Sequence, residues 1–290
     1  MQIAIFGNTN RPVVLSYLQM LFDFLKDKNV KCLLDSSLYT YAEVNGLSLA
    51  NSAMIENDAF EADLALSIGG DGTFLKTAAY IGNKQIPILG INTGRLGFLT
   101  NSSDDTILPA IEQVLQKQYQ TEARSLLFVE TSDGKSLQYP YALNEVAVLK
   151  QDTSSMIAVS AMVNGEPVHT YQSDGLILST PTGSTAYSMS VGGPIVVPQA
   201  QSIILSPVAS HSLNVRPLII PDSWMIELEV DSRTGSFLLA LDGRSQVLEQ
   251  TTKLRITKAK HTINIITQPD HTFFDTLKNK LMWGVDKRTS

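Results

Sequence analysis

A chain of 290 residues, 43% hydrophobic and 17% charged, can bury a large core and is long enough for two domains. Its net charge of −6 and pI near 5.2 argue against a nucleic-acid partner, which would want a basic face. The single cysteine, Cys32, excludes an internal disulfide and a Cys-rich zinc site; His169, His211, His261 and His271 lack ligand-like spacing, so no metal held by protein side chains is expected. The opening residues lack the basic start and long apolar core of a signal peptide, and the apolar run 13–25 is interrupted by Asp23. The expectation is a cytoplasmic chain with no membrane partner.

Up to about residue 120, short apolar runs alternate with helical periodicity. Residues 3–6 read as a strand, and a helix from Pro12 places Val14, Leu18, Leu21 and Leu25 on one face. Next come a strand over 30–34, a strand over 62–68 running into a helix over 73–81, a strand over 87–91, and a helix from about 104 to 119. In that last helix Ile107, Ile111 and Val114 or Leu115 stand in register. Strands separated by helices imply a parallel sheet covered on both faces, with ligands at the carboxyl ends of its strands. From 124 to about 267 the runs become strand-like, at 126–130, 145–149, 157–163, 225–230, 237–241 and 254–257, with Asp133-Gly134 and Asn164-Gly165 as hairpin turns. A last helix over 273–283 has Thr272 and Asp275 placed as a capping box, Gly284 as a stop, and an apolar stripe of Phe273, Phe274, Leu277 and Leu281. The expected class is α/β, with a Rossmann-like parallel-sheet domain over 1–122 and a β-rich domain over 123–269.

Residues 68–76, Ile-Gly-Gly-Asp-Gly-Thr-Phe-Leu-Lys, set an acid among three glycines where a strand becomes a helix. Glycines there let backbone N–H groups approach an anion, and the helix N-terminus adds donors and partial positive charge. An acid belongs among bound phosphates only if it meets a proton or a metal. Asp71 therefore reads as a general base for a hydroxyl attacking phosphorus, the alternative being a plain helix N-cap. Residues 90–99 form a second glycine-rich turn on the same sheet edge, where Arg95 is either a phosphate contact or a solvated loop charge.

Between Ser179 and Ser190 stand seven Ser and Thr hydroxyls and one aromatic ring, Tyr187. Such a stretch suits a nucleotide's ribose, amide and base; the alternative is a Ser/Thr-rich turn. Asn144-Glu145 interrupts an apolar context and offers an amide and a carboxylate to ribose hydroxyls and an adenine edge, or simply caps a strand. Neither G-x-x-x-x-G-K-[ST] nor G-x-G-x-x-G occurs, which argues against a P-loop and against a hydride-transferring dehydrogenase.

Together these blocks resemble the NAD kinase family. The resemblance runs in order from residues 69–73 through 90–99, Asn144-Glu145, Asp174-Gly175, 181–188, 192–194 and 211–217 to 274–284. It implies a C-terminal β-sandwich, a closing segment 270–290 packing back on the first domain, NAD in the cleft between the domains, and a homodimer or homotetramer. It implies transfer of the γ-phosphate of ATP, with Mg²⁺ or another divalent cation, to the adenosine 2′-hydroxyl of NAD. By the same resemblance Asp71 is the catalytic aspartate, Gly72 and Lys76 are nucleotide contacts, and Asn144 and Glu145 hold adenosine and ribose. Asp174 accepts from an amide or amino group, Thr185, Ala186, Tyr187, Ser188, Met189 and Ser190 clamp the dinucleotide, and Ala209 makes a backbone contact. The chain departs from the family pattern at 242–246, where either Arg244 or Gln246 could stand for a glutamine. It departs again at Ser154-Ser155-Met156, where many members carry an arginine, which leaves the transferred phosphate without that basic contact. A lipid or sugar kinase sharing Gly-Gly-Asp-Gly, and a non-enzymatic NAD-binding regulator, are the alternatives.

Overall fold

The computed structural model describes residues 1–94, 96–100, 107–134, 137–151, 155–267 and 272–284. The chain forms two units, one of Met1–Ala123 with Ile263–Ser290 and the other of Arg124–Thr262. No helix among the described residues is long and apolar enough to cross a membrane.

The first unit is built on a parallel sheet whose strands, in spatial order, are β5, β4, β1, β2 and β3. In chain order these are β1 (Gln2–Gly7), β2 (Lys31–Leu34), β3 (Ser52–Met54), β4 (Leu64–Ile68) and β5 (Ile88–Ile91). Every residue of β4 is buried, as a central strand covered on both faces requires. Helix α1 (Val13–Leu25) buries Val14, Leu18, Leu21 and Leu25, the four residues its periodicity selects. Helix α2 (Ser36–Val44) and β3 have no counterpart in the sequence reading. The helix buries only Leu38 and Ala42, and β3 is a three-residue strand, so neither leaves a periodic signal. Helix α3 (Asp71–Ile81) starts two residues before the expected position 73. Helix α4 (Ile107–Leu115) ends short of 119, with Lys117 at φ +58° just beyond it; residues 104–106 of the expected helix lie outside the described residues.

The second unit is a pair of antiparallel sheets. In chain order its strands include β6 (Gln120–Thr131), β7 (Tyr141–Ala142), β8 (Glu145–Lys150), β9 (Ile157–Val163), β10 (Glu166–Ser173) and β11 (Gly175–Ser179). After the one-turn helix α5 (Tyr187–Ser190) come β12 (Ser202–Val208), β13 (Leu218–Pro221), β14 (Ile226–Asp231), β15 (Ser236–Leu241), β16 (Arg244–Glu249) and β17 (Leu254–Thr267). One sheet runs β13, β12, β11, β8, β15, β16; the other joins β10, β9 and β14 to the first half of β17. Strand β9 alternates buried and half-buried residues, and Val159, Leu176, Ile226 and Phe237 from both sheets share one core, the packing of a sandwich. The Asn164-Gly165 turn joins β9 to β10 with φ of +51° and +82°, the two left-handed residues of a tight hairpin.

The last helix, α6 (Phe273–Leu281), belongs to the first unit. Its capping box forms: Asp275 N–H donates to Thr272 Oγ1 at 3.2 Å, and Thr272 N–H to Asp275 Oδ2 at 3.0 Å. The helix ends at Leu281 because Met282 adopts a left-handed φ of +53°, so it stops before reaching Gly284. The apolar stripe is narrower than its spacing suggests, since Leu277 is 3% exposed and Phe274 is 55% exposed. Leu277→Ala is therefore expected to cost roughly 2–5 kcal/mol. Phe274→Ala should stay within about 0.5 kcal/mol of the parent. Equal losses in a denaturation series would contradict this assignment of the helix faces.

Candidate active site

The chain leaves β4 through Gly69 and Gly70 and enters α3 at Asp71. The N-cap residue is Gly70, with no side-chain cap bond, so Asp71 does not serve as the helix cap. Its carboxylate reaches the turn after β5 instead. Phe98 N–H donates to Oδ2 at 2.9 Å, Leu99 N–H to Oδ1 at 3.0 Å, and the Thr100 hydroxyl to Oδ1 at 3.3 Å. Lys280 of α6 donates to Oδ2 at 3.3 Å. A Cβ on Gly97 would fall on Asp71 Oδ1 and Thr100 Oγ1, so only glycine lets the turn close around the acid. Arg95 of this turn lies outside the described residues.

A cavity of about 520 Å³ opens at the carboxyl ends of β1, β2 and β4, where the strand order reverses. Gly72 and Lys76 line it with Asn8, Arg11, Asp35 and Thr73; Asp71 is not among its lining residues. The structure thus parts the expected nucleotide contacts from the acid next to them. Arg11 is absent from the sequence reading. Its signal is the polar run Asn8-Thr9-Asn10-Arg11 at the end of β1, where Asn10 N–H donates to Asn8 Oδ1 at 3.1 Å and turns the chain toward α1.

In the second unit Asn144 and Glu145 open β8, and a carboxylate from the β15–β16 turn holds them. Leu143 N–H donates to Asp242 Oδ2 at 2.7 Å, while Asn144 and Glu145 N–H donate to Oδ1 at 2.8 and 3.1 Å. Asp242 N–H returns a bond to Glu145 O at 3.1 Å. The sequence reading notes residues 242–246 only as a departure from the family pattern; the role of Asp242 depends on a contact 97 to 99 residues away. Arg244 is committed internally, donating to Tyr141 O at 2.7 Å and lying 5.0 Å over the Tyr139 ring, while Gln246 sits on the edge strand β16.

The segment after β11 seats on the same backbone. Thr180 donates its N–H to Asn144 O at 2.9 Å and its hydroxyl to Leu143 O at 2.6 Å. A Cβ on Gly183 would fall on the Asn144 carbonyl, so glycine is required at that approach. The hydroxyls expected to face a ligand find partners within the unit. Ser188 Oγ pairs with Ser206 Oγ at 3.1 Å, Ser184 donates to Val196 O at 3.1 Å, and Ser190 to Tyr187 O at 2.8 Å. Ser179, Thr180, Thr182 and Thr185 are also bonded. The stretch is therefore a turn braced by its own hydroxyls, with the Tyr187 ring 39% exposed beside half-buried Thr185, Ala186 and Met189.

Asp174 and Ala209 lie at the other end of β11. The register pairs Ser179 with Glu145 and Gly175 with Leu149, so about 13 Å of strand separates the two groups. Asp174 pairs with Lys150 Nζ at 2.7 Å and donates its N–H to Val208 O at 2.9 Å; Ala209 follows in a left-handed turn at φ +47°. Of the departures from the family pattern, Ser154 lies outside the described residues.

Burial, then the neighbouring Asp242 charge, pushes the Glu145 carboxyl up to about 7, against a bond from Tyr187 N–H that lowers it. Its Oε2 is buried without a hydrogen-bond partner. Burial also raises the Asp242 carboxyl, opposed by its backbone N–H donors and by Arg244. An acid with a raised folded-state pKa binds its proton more tightly folded than unfolded. Its contribution to stability is thus full below the ordinary 4.5 and lost as pH rises through about 7. Glu145→Gln removes that loss, so the stability of the parent relative to this variant should be greater near pH 5 than near pH 8. A pH-independent difference in denaturation free energy would contradict it.

Two family models match the chain, that of the ATP-NAD kinase N-terminal domain over residues 3–119 and that of the ATP-NAD kinase C-terminal domain over residues 143–268. An NAD kinase of Bacteroides fragilis is 47% identical over 289 residues, covering 99% of this chain and 100% of the relative. An NAD kinase of Porphyromonas gingivalis is 41% identical over 288 residues, covering 99% of both chains. Among solved structures, an Archaeoglobus fulgidus NAD kinase in complex with ATP superposes with TM-score 0.74 at 25% identity, covering 98% of each chain. Yeast NADH kinase complexed with NADH superposes with TM-score 0.92 at 22% identity, covering 100% of this chain and 89% of that one, and shares the fold. The chain belongs to the NAD kinase family.

Proposed function

We propose that this chain transfers the γ-phosphate of ATP to the adenosine 2′-hydroxyl of NAD, producing NADP and ADP. The observation that carries the catalytic part of this reading is Asp71, an acid held by backbone N–H groups where two glycine-rich turns meet. In this reading the 2′-oxygen attacks the γ-phosphorus in line and the hydroxyl proton passes to the Asp71 carboxylate. The bond from phosphorus to the β–γ bridging oxygen breaks, and its electron pair leaves with ADP.

The α- and β-phosphates are assigned to the cavity lined by Gly72, Thr73, Lys76 and Arg11, where the α3 N-terminus and two cations suit a polyanion, and the γ-phosphate to the adjoining Asp71 turn outside that lining. Magnesium enters this reading with its substrate, as the triphosphate complex. Asn144 and Glu145 are assigned to the adenosine, with residues 185–190 as a clamp whose exposed part is Tyr187. Lys150 fixes Asp174 Oδ1, leaving Oδ2 to accept an N–H donor of the ligand near Ala209. The reading includes a homodimer or homotetramer. Half-exposed Leu218 and Ile219 on the edge strand β13, with Leu213 and Trp224 beside it, give such an assembly an apolar surface. A cytoplasmic location completes the proposal.

A coupled assay that detects NADP tests the reaction: formation dependent on both NAD and ATP is expected, and labelled phosphate appearing on a sugar or lipid and not on NAD would overturn it. Tyr187→Ala should weaken NAD binding by about 1–3 kcal/mol, the scale of base–aromatic stacking. Unchanged calorimetric affinity in the folded variant would remove Tyr187 from the clamp.

A further inference from the structure

Asp71 has no acceptor position to spare. A carboxylate offers about four lone-pair positions, and here they take two backbone N–H groups, the Thr100 hydroxyl and the Lys280 ammonium. To receive a proton from an attacking hydroxyl, the acid must give up one of these bonds. The Phe98 and Leu99 donors are fixed in the turn that Gly97 closes. The Thr100 hydroxyl, at 3.3 Å, belongs to a fully buried residue, whereas Lys280, also at 3.3 Å, ends a four-carbon stem and has a side chain 33% exposed.

The helix carrying Lys280 is itself well anchored. Its capping box fixes the first turn, Leu277 is buried, and Phe273 packs 6.1 Å from Phe98, centroid to centroid. The ammonium lies 4.7 Å from the centre of the Phe98 ring. A hydroxyl that donates to Asp71 Oδ2 comes within about 3 Å of it and so takes the place Lys280 now holds. The phosphorus it attacks is one bond further on, which puts the displaced ammonium beside the transferred phosphoryl oxygens.

We propose that Lys280 is a catalytic residue: it neutralises Asp71 before substrates arrive and passes to the transferred phosphoryl group when the attacking hydroxyl displaces it. The proposal rests on the kinase reading above. The new bond joins the 2′-oxygen to the γ-phosphorus, the old bond to the bridging oxygen breaks with its pair leaving on ADP, and the hydroxyl proton goes to Asp71. Lys280 keeps its proton throughout and supplies charge where the equatorial oxygens crowd together.

The test compares the parent with Lys280→Met, Lys280→Arg and Lys278→Met, the last being an exposed neighbour on the same helix. The expected result is a fall in kcat of about a hundredfold for Lys280→Met, the scale of removing one preorganised stabiliser. Its KM for NAD should stay within about threefold of the parent, Lys280→Arg should recover part of the rate, and Lys278→Met should match the parent. An active parent with Lys280→Met within about threefold of its kcat would overturn the role of Lys280 alone, as would a loss confined to KM. A parent that makes no NADP removes the kinase reading and this proposal with it. Should Lys280→Met fail to fold, the side-chain resonance of Lys280 in the parent decides. It should shift on adding NAD with a non-hydrolysable ATP analogue, and a resonance that does not move would overturn the proposal.

Discussion

The first unit depends on one carboxylate gripping the backbone of another loop. Asp71 takes the N–H groups of Phe98 and Leu99, and so fixes the turn after β5 against the turn after β4. Hydrogen bonds to a charged group are worth about 1.5–3 kcal/mol each, a sizeable contribution to holding a glycine-rich turn in one conformation. The constraint explains why residue 97 is glycine and why the acid stands one residue inside α3. A side chain at the cap position would turn inward to its own helix; from the first helical position it reaches across to the neighbouring strand's turn.

The second unit repeats the device with different residues. Asp242 accepts three consecutive backbone N–H groups and thereby sets the position of Asn144 and Glu145. Burial first, and then the charge of the buried Asp242 carboxylate beside it, raises the Glu145 carboxyl to about 7. In both units an acid orients the backbone of another loop, half-buried Asp71 in the first and buried Asp242 in the second.

Local pattern made much of the fold legible. The periodicity of α1, the capping box of α6 and the Asn164-Gly165 turn are all interactions within a few residues, and each is found where the sequence puts it. Helix α2 and β3 were not legible because a helix burying two residues and a strand of three leave no period to detect. The hydroxyl-rich stretch was legible as composition but not as direction. Whether Ser188 faces a ligand or Ser206 depends on how β12 packs beneath it. The long-range partners were invisible for the same reason. Asp242 acts 97 to 99 residues from its position in the chain and Lys280 acts 209 residues away, and no window on the sequence joins them to their partners.

If Asp71 is the base, its role as a clasp and its role in proton transfer separate in Asp71→Asn. The amide keeps one acceptor oxygen, so the turn loses part of its grip while the charge that receives the proton is gone. The deciding measurement is NADP formation by purified, folded Asp71→Asn, with NAD affinity determined on the same sample. Proton transfer to Asp71 predicts a kcat lowered by roughly 10² to 10⁴ with NAD still bound. Turnover within about tenfold of the parent, short of the usual general-base contribution, would contradict it and leave Asp71 as a structural clasp alone.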